Sequence, residues 1–278
     1  MDVGGTSAKL GLVAIGGGRA EILYSESVPT GYETPRERLL ADFRAGVARV
    51  AAFGLRNKTV PEALGVGMPG FQDEEGRVVD ASNLPALDGV AVASLLGAEF
   101  GLPARMDNDL NVAALGEYHY GAHGKVARLL VVALGTGVGA AMVVEGQVLR
   151  PSRGGLGDPG HILVDPGGRL CRCGARGCLE TVASGWAIAE QGGLEDAAVA
   201  ARVADWLGMG LASYCALYYP DCIVLGGKVV AAGGESFRAA VEARMKYMVK
   251  PRFRAVPVRP SMLGDTAGVL GAAAMMLG

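Results

Sequence analysis

The chain has 278 residues, half of them hydrophobic, and a net charge of −2 at pH 7. That apolar content builds a substantial core in one large or two medium domains and is too high for disorder. The near-neutral charge and scattered arginines give no footprint for nucleic acid or an anionic membrane. No apolar run approaches the roughly 20 residues that span a bilayer, and no basic-then-apolar signal pattern opens the chain, so the cytoplasm is the expected compartment.

The chain opens Asp2-Val3-Gly4-Gly5-Thr6-Ser7-Ala8-Lys9, followed by an apolar run from Leu10 to Ile15. A Gly-Gly-Thr turn between two strands exposes backbone N–H groups and a hydroxyl, which suits a phosphate. Asp2 stands where a magnesium ion or its water can be held. Taken alone, the turn also reads as an ordinary hairpin.

Strands are expected at 8–15, 22–28 and 63–67. Between the last two, residues 35–54 have helical spacing, with Leu39, Leu40, Phe43, Val47 and Val50 on one face. A second helix is expected at 90–100, ending near Gly101. A short strand at 104–106 precedes a helix from Asp107 to about Tyr120, with Asp and Asn at its start. Residues 129–134 and 138–144 read as a hairpin around Gly135–Gly137. A long apolar helix at 197–219 is broken by Pro220, a buried strand covers 223–225, and helices are expected at 237–249 and 267–277. Alternating strands and helices argue for an α/β fold. Two phosphate-type turns, one early and one mid-chain, hint at two related halves.

The densest chemistry lies between Asp158 and Glu180. Asp158-Pro159-Gly160-His161 is followed, after nine residues, by Cys171-Arg172-Cys173-Gly174-Ala175-Arg176-Gly177-Cys178-Leu179-Glu180. Three thiolates and an imidazole close a tetrahedral zinc shell and leave no open position, as in a structural site. Gly174 and Gly177 let the backbone turn tightly enough for Cys171, Cys173 and Cys178 to face one centre, with His161 as the fourth ligand. The remaining thiols, Cys215 and Cys222, read as buried and free. Thiols committed to zinc fit a reducing compartment.

Together these segments resemble the ROK family of sugar kinases and sugar-sensing repressors. The family pattern is an Asp-x-Gly-Gly-Thr-x-x-Lys turn, a mid-chain Asn-Asp pair, and Glu-x-Gly-His ahead of Cys-x-Cys-Gly-x-x-Gly-Cys-x-Glu. Here the matches are Asp2 to Lys9, Asn108-Asp109, and Asp158 to Glu180. Leu134-Gly135-Thr136-Gly137-Val138-Gly139 is similar to the family's second phosphate turn, and Ile223-Val224-Leu225-Gly226-Gly227 to its adenosine-binding turn. Two departures stand out. Asp158 replaces the family glutamate and is followed by the stiffening Pro159. Only Met1 precedes Asp2, so either the first strand is shortened or further apolar residues stand upstream.

The resemblance implies a two-domain actin-like (ribonuclease-H-like) α/β fold with a structural zinc loop. The small domain is expected at 1–106 plus 265–278 and the large one at 107–264. Sugar and nucleotide are expected in a cleft whose closure excludes water.

The implied activity is ATP- and magnesium-dependent phosphorylation of a hexose, most simply glucose, to its 6-phosphate. Asp109 is the expected general base, taking the hydroxyl proton as the phosphoryl group departs. Its alternative is a helix cap, a task open to Asp107 as well. Gly67, Asn83, Asn108, Asp158, His161 and Glu180 are the expected sugar contacts, with the ring N–H of a zinc-bound His161 aimed at a hydroxyl. Gly4, Gly5, Thr6, Gly135, Thr136 and Gly137 would hold phosphates, with Lys9 either adding charge or facing solvent. Gly226 and Gly227 would receive the nucleotide.

The expected partners are sugar and ATP, in a homodimer. Alternatives within the class are N-acetylglucosamine, N-acetylmannosamine or fructose kinases, or a polyphosphate-dependent glucokinase. Those of another class are a silent sugar sensor and a transcriptional regulator. The regulators of the family carry a winged-helix domain ahead of the phosphate turn.

Overall fold

The structure, a computed structural model, describes residues 1–150 and 157–277. Gly278 and residues 151–156, placed in the domains above, lie outside the described residues. The described residues form two compact units: 1–122 with 150 and 265–277, and 123–149 with 157–264.

The first unit contains β1 (Asp2–Val3), β2 (Ser7–Gly16), β3 (Arg19–Pro29), α1 (Arg36–Arg56), β4 (Leu64–Met68), β5 (Phe71–Gln72), β6 (Val78–Val79), α2 (Val92–Phe100), β7 (Ala104–Asn108) and α3 (Asp109–Tyr120). Its sheet runs β3-β2-β1-β4-β7. The first two pairings are antiparallel and the last two parallel. α1 buries Leu39, Phe43, Val47 and Val50, the stripe its spacing predicts.

The first strand is short, yet it is the sheet's centre: Asp2 pairs with Lys9 on one side and Gly67 on the other. The Met1 amino group donates to the Gly65 carbonyl at 2.7 Å. Beside it an apolar cavity of about 410 Å³ lies among Leu10, Leu12, Val50, Leu64 and Val269.

The second unit contains β8 (Arg128–Leu134), β9 (Val138–Val144), β10 (Gln147–Val148), α4 (Glu180–Ala183), α5 (Gly185–Glu190), α6 (Ala197–Tyr218), β11 (Cys222–Gly226), α7 (Lys228–Met248) and β12 (Val258–Pro260). Its sheet runs β10-β9-β8-β11-β12, again two antiparallel pairings followed by two parallel ones. The hint of related halves is thus written in the topology. Cys215 and Cys222 are fully buried here as free thiols, and burial pushes each up to about 11.

The last helix, α8 (Ala267–Ala274), returns to the first unit and packs on α3. The approach is close: a Cβ on Gly271 would stand 1.7 Å from the Val112 carbonyl oxygen. This packing places α3 in the first unit, so the expected boundary after residue 106 moves to 122. The helix expected at 237–249 starts at Lys228, nine residues earlier. Gly234, at φ 63°, interrupts the helical backbone there and masked the pattern. No helix among the described residues is long and apolar enough to cross a membrane.

Candidate functional site

In the first unit the candidates gather at the ends of β1, β4 and β7. Parallel strands carry their loops at these carboxyl ends, where ligands of open α/β sheets bind. Gly67 lies beside Asp2: a Cβ there would sit 3.4 Å from Asp2 Oδ1. Gly5 abuts Asn83, whose Cβ would be 3.1 Å from a Cβ on the glycine. The Gly-Gly-Thr turn is closed by Gly4 N donating to Ser7 O at 2.9 Å, and leaves Thr6 exposed.

Asp109 opens α3, but Asn108 is the cap. The Asn108 Oδ1 accepts from Leu110 N at 3.0 Å and Asn111 N at 3.3 Å. One hydrogen of its Nδ2 goes to the Gly70 carbonyl at 2.9 Å. The Asp109 Oδ1 accepts from Leu110 N at 2.8 Å. Burial, and after it the nearby charge of Asp2, pushes Asp109 up to about 6. Burial raises Asp2 as well. A desolvated carboxylate raised further by a neighbouring one suits a proton acceptor beside a site for a cation.

Lys9 is less available to a phosphate. It pairs with Asp265 at 3.3 Å and donates to that residue's carbonyl at 3.1 Å.

The second unit assembles the loop. His161, Cys171, Cys173 and Cys178 bring their ligand atoms within 4.8 Å of one another. Gly177, at φ 73°, is required: a Cβ there would lie 1.6 Å from the Asp165 carbonyl. Zinc bonds of about 2.3 Å to sulfur and about 2.0–2.1 Å to nitrogen separate two tetrahedral sulfurs by about 3.8 Å, and sulfur from nitrogen by about 3.5 Å. Cys173 and Cys178 sulfurs are 3.7 Å apart, and Cys171 Sγ is 3.4 Å from His161 Nδ1. The donor set therefore fits the ion. Burial, followed by its two neighbouring cysteines, pushes the Cys178 thiol up to about 12, a crowding that a cation relieves.

With Nδ1 on the thiol side, His161 Nε2 is left for a second partner. Asp158 Oδ2 lies 3.3 Å from it. A carboxylate on the far nitrogen of a metal-binding histidine fixes its tautomer and ring angle. Tyr214 Oη anchors the same turn by donating to the Pro159 carbonyl at 2.5 Å.

Glu180 starts α4, and its Oε2 accepts from Val138 N at 3.0 Å. A Cβ on Gly137 would stand 2.5 Å from that oxygen. Glu180 thus ties the loop to the Gly135–Gly137 turn, a link that sequence spacing did not reveal. Gly135 N donates to Gly137 O at 3.0 Å, and Thr136 is exposed.

Gly226 ends β11, and Gly227, at φ 91°, has no room for a side chain: a Cβ would meet the Leu134 carbonyl at 2.2 Å. α7 begins immediately after it. The free N–H groups of its first turn are a setting suited to anions. The strand–Gly–Gly–Lys run was the available sign of that start.

The whole chain, residues 1–278, matches the model of the ROK family, and the chain belongs to that family. It is 31% identical to the glucokinase of Thermotoga maritima, over 99% of this chain and 96% of that one. A putative xylose repressor of a Caldicellulosiruptor species is 31% identical over 77% of this chain and 62% of its own length. The crystal structure of a ROK hexokinase from Thermus thermophilus has a TM-score of 0.82 and 32% identity, covering 98% and 95% of the two chains. A ROK glucokinase from Streptomyces griseus, in complex with glucose and AMPPNP, has a TM-score of 0.80 and 28% identity, covering 100% and 98%. The α/β fold is that of the ROK sugar kinases.

Proposed function

We propose that this protein is an ATP-dependent hexose kinase that phosphorylates the 6-hydroxyl, with glucose the simplest substrate. The observation that carries this reading is Asp109: a desolvated carboxylate at the end of a parallel strand, raised to about 6, beside a cap made by its neighbour Asn108. A base of this basicity still ionises at neutral pH yet accepts a proton more readily than an exposed aspartate. The hydroxyl proton passes to Asp109 as the sugar oxygen bonds to the γ-phosphorus and the bond to ADP breaks. Likeness to glucokinases supports the substrate class.

Gly67, Asn83, Asn108, Asp158, His161 and Glu180 are the proposed sugar-side residues. Asp158 acts there by orienting His161. Glu180 acts in part through the turn it holds. Gly4, Gly5, Thr6, Gly135, Thr136 and Gly137 are proposed for the phosphates, and Gly226 and Gly227 for the nucleotide. Lys9 enters only if it leaves Asp265. Asp2 is the proposed holder of magnesium or its water, because a half-buried carboxylate beside another gains most from a cation.

Zinc, held by His161 and the three cysteines, would supply rigidity and fix the His161 ring without acting on the reacting atoms. The proposed setting is the cytoplasm, where ATP is present and thiols stay reduced. The proposed assembly is a homodimer, which light scattering can check.

A panel of glucose, mannose, fructose, N-acetylglucosamine and N-acetylmannosamine, with ATP and magnesium in a coupled ADP-release assay, tests the reading. Sugar-dependent ADP release, greatest with glucose, is expected. Folded protein that binds sugar but releases no ADP with any of them overturns it. That outcome favours the sugar-sensing regulators, a class represented by the xylose repressor relative.

A further inference from the structure

Two residues before Asp109, the side chain of Asp107 is only 3% exposed. A buried carboxylate stays ionised only when charge and hydrogen bonds compensate it. Here four donors converge on it. Its Oδ1 accepts from Asn108 N at 2.7 Å, Asn111 Nδ2 at 2.9 Å and Arg150 Nη1 at 3.1 Å. Its Oδ2 accepts from Arg150 Nη2. The fork of one guanidinium thus closes on both oxygens, a geometry lysine does not reproduce.

The two other donors belong to the machinery of the base. Asn108 N is the backbone of the residue that caps α3 and precedes Asp109. Asn111 lies in the first turn of that helix, and its own N–H is held by the cap. Asp107 is therefore the anchor on which the β7–α3 junction is set. Among the described residues, Arg150 is the cation bonded to that anchor. It reaches it from far along the chain, after β10, and remains 40% exposed. Among the described residues, the guanidinium bonds go to Asp107 and not to Asp109.

We propose that Arg150 is a positioning residue for the Asn108–Asp109 pair, acting through the buried carboxylate of Asp107. It neutralises Asp107 and so keeps that carboxylate aimed at the junction. Without the guanidinium, the Asp107 carboxylate must turn toward water or toward another partner. Each response releases Asn108 N or Asn111 and lets Asp109 shift. A displacement of about 1 Å in a reacting group costs up to about a hundredfold in rate. The inference rests on the reading of Asp109 as the base.

The test is a set of variants assayed for kcat, sugar KM and thermal midpoint: Arg150→Met, Arg150→Lys, Asp107→Asn, each Arg150 change combined with Asp107→Asn, and Asp109→Asn. Arg150→Met is expected to lower kcat about tenfold to a hundredfold, with sugar KM changed less than about threefold. Arg150→Lys should fall between it and the parent. Adding Asp107→Asn to either should recover most of the lost kcat. The amide carries no charge to neutralise, and its oxygen still accepts from Asn108 N and Asn111 Nδ2.

A merely structural ion pair gives the opposite pattern, a lower midpoint with unchanged kcat per folded molecule, and that result overturns the proposal. So does failure of Asp107→Asn to rescue either Arg150 variant. If Arg150→Met does not fold, Arg150→Lys and its double carry the same comparison. Asp109→Asn separates the two levels. If it stays active, the base reading fails. If it is inactive while the Arg150 variants behave like the parent, only the positioning role fails.

Discussion

The turn Gly4–Thr6 joins β1 to β2, and the turn Gly135–Gly137 joins β8 to β9 at the corresponding place in the second sheet. Each leaves its threonine exposed between strands of the same plan. What stands beside them differs. The first turn meets Asn83, the second Glu180. Both neighbours come from insertions, and the insertions fall at different connections. In the first half, the link from β4 to α2 is enlarged by β5, β6 and the Asn83 loop, while β3 passes to α1 within a few residues. In the second half, β11 leads directly into α7, while the link from β10 to α6 is enlarged by the cysteine loop, α4 and α5. One folding plan thus has two chemistries: desolvated carboxylates in the first half, and clustered thiols that fix an imidazole in the second.

The sharpest break in this comparison is Asp109→Asn, which removes the first half's proton acceptor and keeps its shape. A loss of about 10²–10⁴ in kcat is expected, with sugar binding by calorimetry nearly intact. The same variant should be more stable than the parent at pH 7. Asp109 is raised from 3.8 to about 6 in the fold, so the folded state binds the proton more tightly. Its contribution is fully present below about pH 4 and is lost as pH rises through about 6. The gain is at most about 3 kcal/mol at neutral pH and should vanish in acid, which chemical denaturation at pH 7 and pH 4 measures.

Activity should carry the same group's signature with the opposite sense. The base must be ionised, so kcat should fall about tenfold per unit below about pH 6. Asp2→Asn should move that limb downward, because the Asp2 charge is a lesser cause of the shift after burial. A limb that persists unchanged in Asp109→Asn would assign it to another group.

In the second half, metal analysis of protein purified without added zinc should find one ion per chain. Cys173→Ser should lower the thermal midpoint and raise sugar KM severalfold, with a smaller change in kcat. A loop that is metal-free in fully folded, active protein refutes the zinc assignment.

The smallest effect is expected at Asp158, whose side chain is 66% exposed. Asp158→Ala should raise KM about two- to fivefold by loosening the His161 ring, a loss on the scale of one solvated hydrogen bond. It should leave kcat nearly unchanged. An unchanged KM would show that His161 is held without it. A loss of kcat as large as that of Asp109→Asn would reopen the assignment of the base.

Much of this was legible in the sequence because the signals are local. The stripe Leu39, Phe43, Val47, Val50 reports a helix face through its period. The cysteine spacing and its glycines bring four ligands together within one short loop. The hairpin about Gly135–Gly137 is set by adjacent strands and a tight turn. The duplicated phosphate-type turns were visible too, although the repeat itself was not, since strand order leaves no mark on residue identity.

Tertiary structure decided the rest. Whether Asp107, Asn108 or Asp109 caps α3 depends on where β7 stops, and β7 runs two residues further because Asp107 and Asn108 pair with Gly67 and Met68. The unit to which α3 belongs depends on α8, more than 140 residues away, reaching it at Gly271. Glu180 on the Val138 amide, Asp158 on His161 Nε2 and Arg150 on Asp107 are meetings of a side chain with its surroundings. Periodicity and spacing report a residue's own neighbourhood. Burial, charge pairing and the resulting proton affinity of Asp109 belong to the distant segments folded around it.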